Sequence, residues 1–200
     1  RENIHPSKIF CTGNTTFEVM REFAPQINNS DILTRLRLES KGYILVTAHR
    51  SENVDNIEYL HKIIEATGRI AKHFKREVIY PMHPRTKSKL TSFETPQGVR
   101  IMDPLGFYDF NHLLKESFCV VSDSGTAAEE GLFYKVPNVS LRMATERPET
   151  VESGATIISG MDLNNIVESV ETAVSLPWSA NYDFAEGHSP SSVVINSIRS

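Results

Sequence analysis

Two hundred residues with 40% hydrophobic content suffice to bury one sizeable core, and the length reads as a single domain. The formal charge of -4, with Lys and Arg scattered along the chain, offers no basic track for a phosphate backbone, so no nucleic-acid partner is expected. No run approaches the roughly 18 apolar residues that span a bilayer, and the N-terminus lacks a basic-then-apolar signal pattern, so a soluble chain without a membrane partner is expected.

In chain order, short β-rich runs alternate with longer segments of helical period. A strand is expected over 8–12, a second over 43–47, and then a helix over 57–74, where Ile57, Leu60, Ile63, Ile64, Ile70 and Ala71 recur on one face. Its start is assigned to a turn capped by Asn53 or Asp55. Strands follow over 78–82 and 99–102, a helix over 109–116, a strand over 118–122 and a helix over 127–134. Strands over 138–141 and 155–158 bring the expected count to seven, and Asp162 is placed as the N-cap of a helix over 163–174. Residues 177–190 read as a linker before a last short helix over 191–199. The only cysteines, Cys11 and Cys119, each fall in an apolar run that reads as a strand, where a free thiol packs as a small hydrophobe. That usage points to a reducing, cytoplasmic setting. The chain begins at Arg1 without a methionine and stops at Ser200 within a helical pattern, so it reads as a piece of something longer.

Near-continuously apolar strands separated by helices imply a doubly wound parallel α/β sheet covered on both faces. Such sheets bind ligands beyond the carboxyl ends of their strands, so polar clusters that directly follow strands should meet at one mouth. Four clusters do so. Ala48-His49-Arg50-Ser51-Glu52-Asn53 offers a proton donor and a fixed cation for a leaving phosphate, or simply a capped turn. In His83-Pro84-Arg85-Thr86, proline suits a first helical turn, and His83 either points to the mouth or is satisfied by a backbone carbonyl. Asp123-Ser124-Gly125-Thr126 opens a helix whose unpaired N–H groups at Ser124, Gly125 and Thr126 suit a pyrophosphate. Glu130, one turn beyond Thr126, suits the two hydroxyls of a ribose, while Glu129 is either solvent-facing or paired. Arg142, Thr145, Glu146 and Arg147 form either a surface ion-pair cluster or an anion clamp held by its own carboxylate. There is no HExxH, no paired CxxC and no dense carboxylate group, so no metal is expected. Ser124 sits at a strand-to-helix turn, yet Asp-Ser-Gly-Thr is not the GxSxG elbow of a hydrolase.

Taken together, Thr12-Gly13-Asn14-Thr15, His49-Arg50 with Glu52-Asn53, Ser122-Asp123-Ser124-Gly125 with Glu129-Glu130, and Thr145-Glu146-Arg147-Pro148-Glu149 resemble, in this order, the C-terminal domain of the non-hydrolysing UDP-N-acetylglucosamine 2-epimerases. The resemblance implies a Rossmann-like domain over residues 1–188 of a glycosyltransferase-B type architecture. Residues 189–200 would begin a helix packing toward an N-terminal domain that precedes Arg1. It implies further that Ser124 and Gly125 hold the diphosphate of a UDP-sugar, that Glu130 holds the ribose, and that the segment around Phe110 lines the uracil pocket. His49 and Arg50 would act at the sugar and diphosphate, with His83 a further catalytic candidate. Arg142, Thr145, Glu146 and Arg147 would complete the anion site. No cofactor is implied, several catalytic carboxylates belong to the other domain, and the full-length form is expected to be a homodimer.

The sequence departs from the main branch of that family, which has two glycines after the serine, where this chain has Gly125-Thr126-Ala127-Ala128. This departure, with His83-Pro84-Arg85-Thr86 and Gly106-Phe107-Tyr108-Asp109, resembles a side branch whose members form UDP-N-acetyl-L-fucosamine for capsules or act on diacetamido uronic acids. The rival readings are a glycosyltransferase or hydrolysing epimerase on the same scaffold, and a non-catalytic nucleotide-sugar binding domain.

Overall fold

A computed structural model describes residues 4–90, 93–176 and 189–199. Six parallel strands form one sheet: β1 (Tyr43–Thr47), β2 (Glu77–Pro81), β3 (Val99–Met102), β4 (Cys119–Ser122), β5 (Asn138–Ser140) and β6 (Thr156–Ile158). Their spatial order, β3-β2-β1-β4-β5-β6, makes this a doubly wound, Rossmann-like α/β fold, and it reverses direction between β1 and β4. Register along that central pair runs from Ile44 opposite Cys119 to Thr47 opposite Ser122.

The strand residues alternate between two cores, as a two-residue period requires. Ile44, Val46, Val78, Tyr80, Cys119 and Val121 face one cluster, while Tyr43, Leu45, Ile79 and Val120 face the other. The helices, in chain order, are α1 (Thr15–Glu22), α2 (Ala24–Asn28), α3 (Ile32–Leu36), α4 (Ser51–Val54), α5 (Ile57–Phe74), α6 (Pro84–Lys87), α7 (Phe107–Lys115), α8 (Gly125–Tyr134), α9 (Pro148–Glu152), α10 (Leu163–Ser175) and α11 (Pro190–Arg199). Short 3-10 turns cover Pro6–Lys8 and Ser88–Leu90. Residues of α5 and α10 close the first core, and residues of α3, α7 and α8 close the second.

The long helix α5 shows how the sequence sets an element. Asn56 accepts hydrogen bonds from the backbone N–H groups of Glu58 and Tyr59, Leu60, Ile63, Ile64 and Ile70 form its buried stripe, and Lys75 ends it in the left-handed conformation. The cap is therefore neither Asn53 nor Asp55, because Asn53 is buried in the short α4, where its side chain serves the strand ends. Asp162 caps α10 as expected, accepting from the backbone of Asn164 and Asn165.

The expected strand over 8–12 does not form, and the described residues hold six strands, not seven. Lys8 closes a 3-10 turn, and Ile9, Phe10 and Cys11 are exposed. Asn14 caps α1 and donates from its side chain to Glu129 in α8, which draws the segment to the flank of α8 instead of a sheet edge. An apolar run without a neighbouring ladder has nothing to pair with. Cys11 is consequently a surface thiol, whereas Cys119 is the buried small hydrophobe that the pattern indicates. Of the expected linker over 177–190, residues 177–188 lie outside the described residues. The terminal helix α11 rests on α1, where Glu18 accepts from Ser189 Oγ and from Ser191 N and Oγ.

Candidate functional site

Because all six strands are parallel, the loops after β1, β2, β4 and β5 leave the sheet at the same edge. The reversal between β1 and β4 opens the crevice there, and Asp123 sits at its floor. Asp123 is 0% exposed and joins the two loops: it accepts from His49 N at 3.1 Å through either oxygen, from Arg50 N at 2.9 Å and from Asn53 Nδ2 at 3.0 Å. Asn53 Nδ2 also lies 3.3 Å from Leu141 O, which ties in the end of β5. Two of the four expected clusters are thus laced around one carboxylate, and Asn53 ties in the strand end that precedes a third.

Ser124 caps α8 and its backbone N–H donates to Ser122 Oγ at 2.9 Å, so the helix starts at Gly125 with Thr126 exposed. The first N–H groups of α8 point out of the crevice floor with the positive end of the helix dipole behind them. A Cβ on Gly125 would stand 3.3 Å from Glu146 Oε1 and 3.8 Å from Arg147 Cγ, so glycine keeps this approach open. Around it, Glu146 bridges two cations, Arg142 Nη1 at 2.5 Å and Arg50 Nη2 at 3.3 Å, and its own backbone N–H, followed by these guanidinium groups, holds its carboxyl below the usual range. The fourth cluster is thus an ion-pair network in which Glu146 holds Arg142 and Arg50 together, the arrangement that both expected readings share. Thr145 Oγ1 accepts from Arg147 N at 3.0 Å and sets the turn into α9.

Glu129 is paired and buried, not solvent-facing. Its oxygens accept from Asn14 Nδ2 and Thr16 Oγ1, each at 3.1 Å, and Arg147 Nε stands 2.8 Å away as an ion pair. A cavity of about 500 Å³ opens here between the Thr12–Gly13–Asn14 loop, Glu129, Arg147 and Thr150. A larger cleft of about 880 Å³ lies beside Lys75, Arg76 and Gly98, at the opposite edge where β2 and β3 begin, away from the strand-end clusters.

Glu130 is 6% exposed. Burial, then the charge of Glu129, pushes its carboxyl up to about 7, against a hydrogen bond from the Asn111 side chain. Asn111 belongs to α7, next to Phe110, so the structure brings the Phe110 segment beside Glu130. The Phe110 ring itself packs partly into the second core.

His83 is the expected site residue that these contacts leave apart. It stands exposed at the end of β2, where Nδ1 accepts from Arg85 N at 3.2 Å as the cap of α6. A different bridge links the two neighbouring loops: Asp55, following α4, pairs with Arg85 at 3.2 Å and with Lys89. His112 Nδ1 meets Ile27 O at 2.7 Å and fastens α2 to α7. The residues whose part in joining the strand ends sequence reasoning did not reach are Asp123, Asn53, read only as a cap, and Asn111. The first two lay inside named motifs, but only their burial marks them as partners; Asn111 carried no signal beyond its adjacency to Phe110.

A reversed parallel sheet with arginines and an open helix terminus at its switch point defines an α/β domain of the Rossmann class. The sequence profile described as UDP-N-acetylglucosamine 2-epimerase matches residues 1–195. The UDP-N-acetylglucosamine 2-epimerase of Methanocaldococcus jannaschii is 34% identical over 203 residues, covering 97% of this chain and 56% of that protein. The UDP-2,3-diacetamido-2,3-dideoxy-D-glucuronate 2-epimerase of Pseudomonas aeruginosa is 36% identical over 133 residues, 66% of this chain and 37% of that protein. Among solved structures, M. jannaschii UDP-GlcNAc 2-epimerase in complex with UDP-GlcNAc and UDP matches with a TM-score of 0.87 at 32% identity, over 100% of this chain and 57% of that one. The chain belongs to the UDP-N-acetylglucosamine 2-epimerase family, and it spans about half the length of the relatives it matches.

Proposed function

We propose that this chain is the UDP-binding half of a UDP-N-acetyl-sugar 2-epimerase. The observation that carries the reading is the convergence at the switch point of the α8 N-terminus, Arg50, Arg142 and Arg147, with the buried Glu130 one helical turn further along. One turn is about 5.4 Å, comparable to the reach from a nucleotide's α-phosphate to its ribose hydroxyls. Ser124, Gly125 and Thr126 take the diphosphate, Glu130 the ribose, and the α7 segment around Phe110 the uracil.

In the reaction, a base removes the proton at C2, the C1–O bond to UDP breaks, and a C1=C2 double bond forms in a glycal-like intermediate. The UDP oxygen then re-adds at C1 while a proton reaches the opposite face of C2. Substrate and product differ only in configuration, so no redox cofactor enters. The C2 proton is weakly acidic, and the step depends on stabilising the departing diphosphate, which is the task that the arginines and the α8 N–H groups suit. His49 exchanges a proton at the sugar, and His83, at the adjacent strand end, supports it. We assign the C2 base to the other half of the full-length protein and propose that this half packs on the exposed Val194, Ile195 and Ile198 of α11. The homodimer and cytoplasmic setting expected from the sequence belong to the same proposal.

Thr126-Ala127-Ala128 after Gly125, together with His83-Pro84-Arg85-Thr86, favours the branch forming UDP-N-acetyl-L-fucosamine for capsular polysaccharide. The test is calorimetric UDP binding to this chain and to Glu130→Ala, followed by incubation of the full-length protein with UDP-amino sugars in D2O. Equal UDP affinity removes Glu130 from the ribose site. Deuterium at C2 of an inverted UDP-sugar is the expected product, whereas free sugar plus UDP identifies a hydrolysing enzyme, and absence of deuterium sinks epimerisation.

A further inference from the structure

Asp123 is a buried carboxylate to which the roles above give no task at the substrate. Its hydrogen-bond donors are neutral: the backbone N–H groups of His49 and Arg50 and the Asn53 amide. The Arg50 guanidinium turns away to Glu146 and Glu52. Tyr80, on the strand beneath, spends its hydroxyl on Ala48 O at 3.1 Å. What faces the carboxylate is the imidazole of His49, whose Nδ1 stands 3.7 Å from Asp123 Oδ1. An ionised carboxylate removed from water and served by neutral donors draws a proton onto the nearest ring nitrogen. The His49 side chain is 58% exposed, which leaves the ring accessible from solvent.

The backbone contacts add a second constraint. By accepting from both His49 N and Arg50 N, Asp123 pins the two peptide groups that flank the His49 Cα. Only the side-chain torsions of His49 then remain free, and the same carboxylate lies beside the ring, 3.7 Å from Nδ1. A carboxylate that fixes the backbone and one edge of an imidazole selects both its orientation and its tautomer.

We propose that Asp123 is the positioning residue of this site: it holds His49 with the proton on Nδ1 and leaves Nε2 as the nitrogen that exchanges a proton with the sugar. The inference deepens the proposed function and rests on it for the substrate, whereas the pairing of Asp123 with His49 stands on geometry alone.

The experiment is a long-range proton–nitrogen spectrum of the full-length protein labelled with 15N-histidine, with His49 assigned by its loss in His49→Gln. The neutral His49 ring is expected as the Nδ1–H tautomer. Asp123→Asn keeps an oxygen that can accept from the two backbone N–H groups but loses the charge, so the Nε2–H form should rise to a major population. Turnover should fall by roughly 10- to 100-fold while the Kd for UDP stays nearly unchanged. An Nε2–H tautomer in the wild-type protein overturns the proposal even if the variant fails to fold, and an unchanged tautomer in a folded Asp123→Asn overturns it as well. A wild-type protein that neither binds UDP nor exchanges hydrogen at C2 counts against the proposed function instead, and the tautomer still decides the pairing.

Discussion

Replacing Glu130 by Gln should stabilise this protein at pH 8 and weaken its hold on UDP. Burial, assisted by the neighbouring charge of Glu129, raises the Glu130 carboxyl from 4.5 to about 7. The folded state therefore keeps this proton where the unfolded chain has released it, so stability falls as pH rises through the window from 4.5 to about 7. At about 1.4 kcal/mol for each pH unit, the accumulated cost is roughly 3 kcal/mol by pH 8 and about 1 kcal/mol at pH 5. Gln has nearly the same shape and no charge to desolvate, so urea denaturation followed by circular dichroism should show a gain approaching that figure at pH 8, shrinking toward zero near pH 4. In the proposed UDP site the same substitution removes a charged acceptor from the ribose hydroxyls, worth about 1.5 to 3 kcal/mol, or roughly 10- to 100-fold in UDP affinity. A Glu130→Gln protein no more stable than wild type at pH 8, or one whose gain is independent of pH, would refute the reasoning.

Further outcomes follow from the same geometry. UDP affinity should decline as pH falls below about 7, because Glu130 must shed its proton to accept from both hydroxyls, and calorimetry in buffers of different ionisation enthalpy should register proton release on binding. Gly125→Ala places a methyl group 3.3 Å from Glu146 Oε1, the far end of a flexible side chain. Stability should therefore change by less than about 1 kcal/mol while UDP binding weakens by roughly tenfold, as read by denaturation and calorimetry. Glu129→Ala removes the acceptor shared by Asn14 and Thr16 and the partner of Arg147, so a loss of about 2 kcal/mol is expected. Faster amide exchange over residues 12–17 should accompany it.

Much of this architecture was written locally. The stripe of Leu60, Ile63, Ile64 and Ile70 specifies a helix wherever it packs, and the apolar runs around Leu45, Ile79 and Val120 can satisfy their backbones only inside a covered parallel sheet. The strand-end rule then places His49, Ser124 and Arg142 at one edge of the sheet. The run over 8–12 misled for a physical reason: apolar content is a property of the segment, but pairing is a property of its neighbours. Asn14 and Thr16 bind Glu129 across more than a hundred residues, and that contact holds the segment off the sheet. The helices α1 to α3 were missed because each is short, and a buried stripe of one or two residues such as Phe17 and Met20 in α1 carries too little period to read.

By itself the sequence determined the fold class, the edge of the sheet on which chemistry gathers and the family, because each depends on patterns only a few residues long or on ordered motifs. Tertiary structure decided which polar residues act on one another. Asp123 and Asn53 are ordinary polar letters in the chain and become the knot of the site only when β1, β4 and β5 end side by side. Glu129 and Glu130 are adjacent and chemically identical, yet the packing of α7 and α1 on α8 gives one a set of donors and a cation and leaves the other desolvated, with its carboxyl pushed up to about 7. The strength of a charge depends on how much water and how many partners surround it, and those are set by distances between segments that the linear order does not contain.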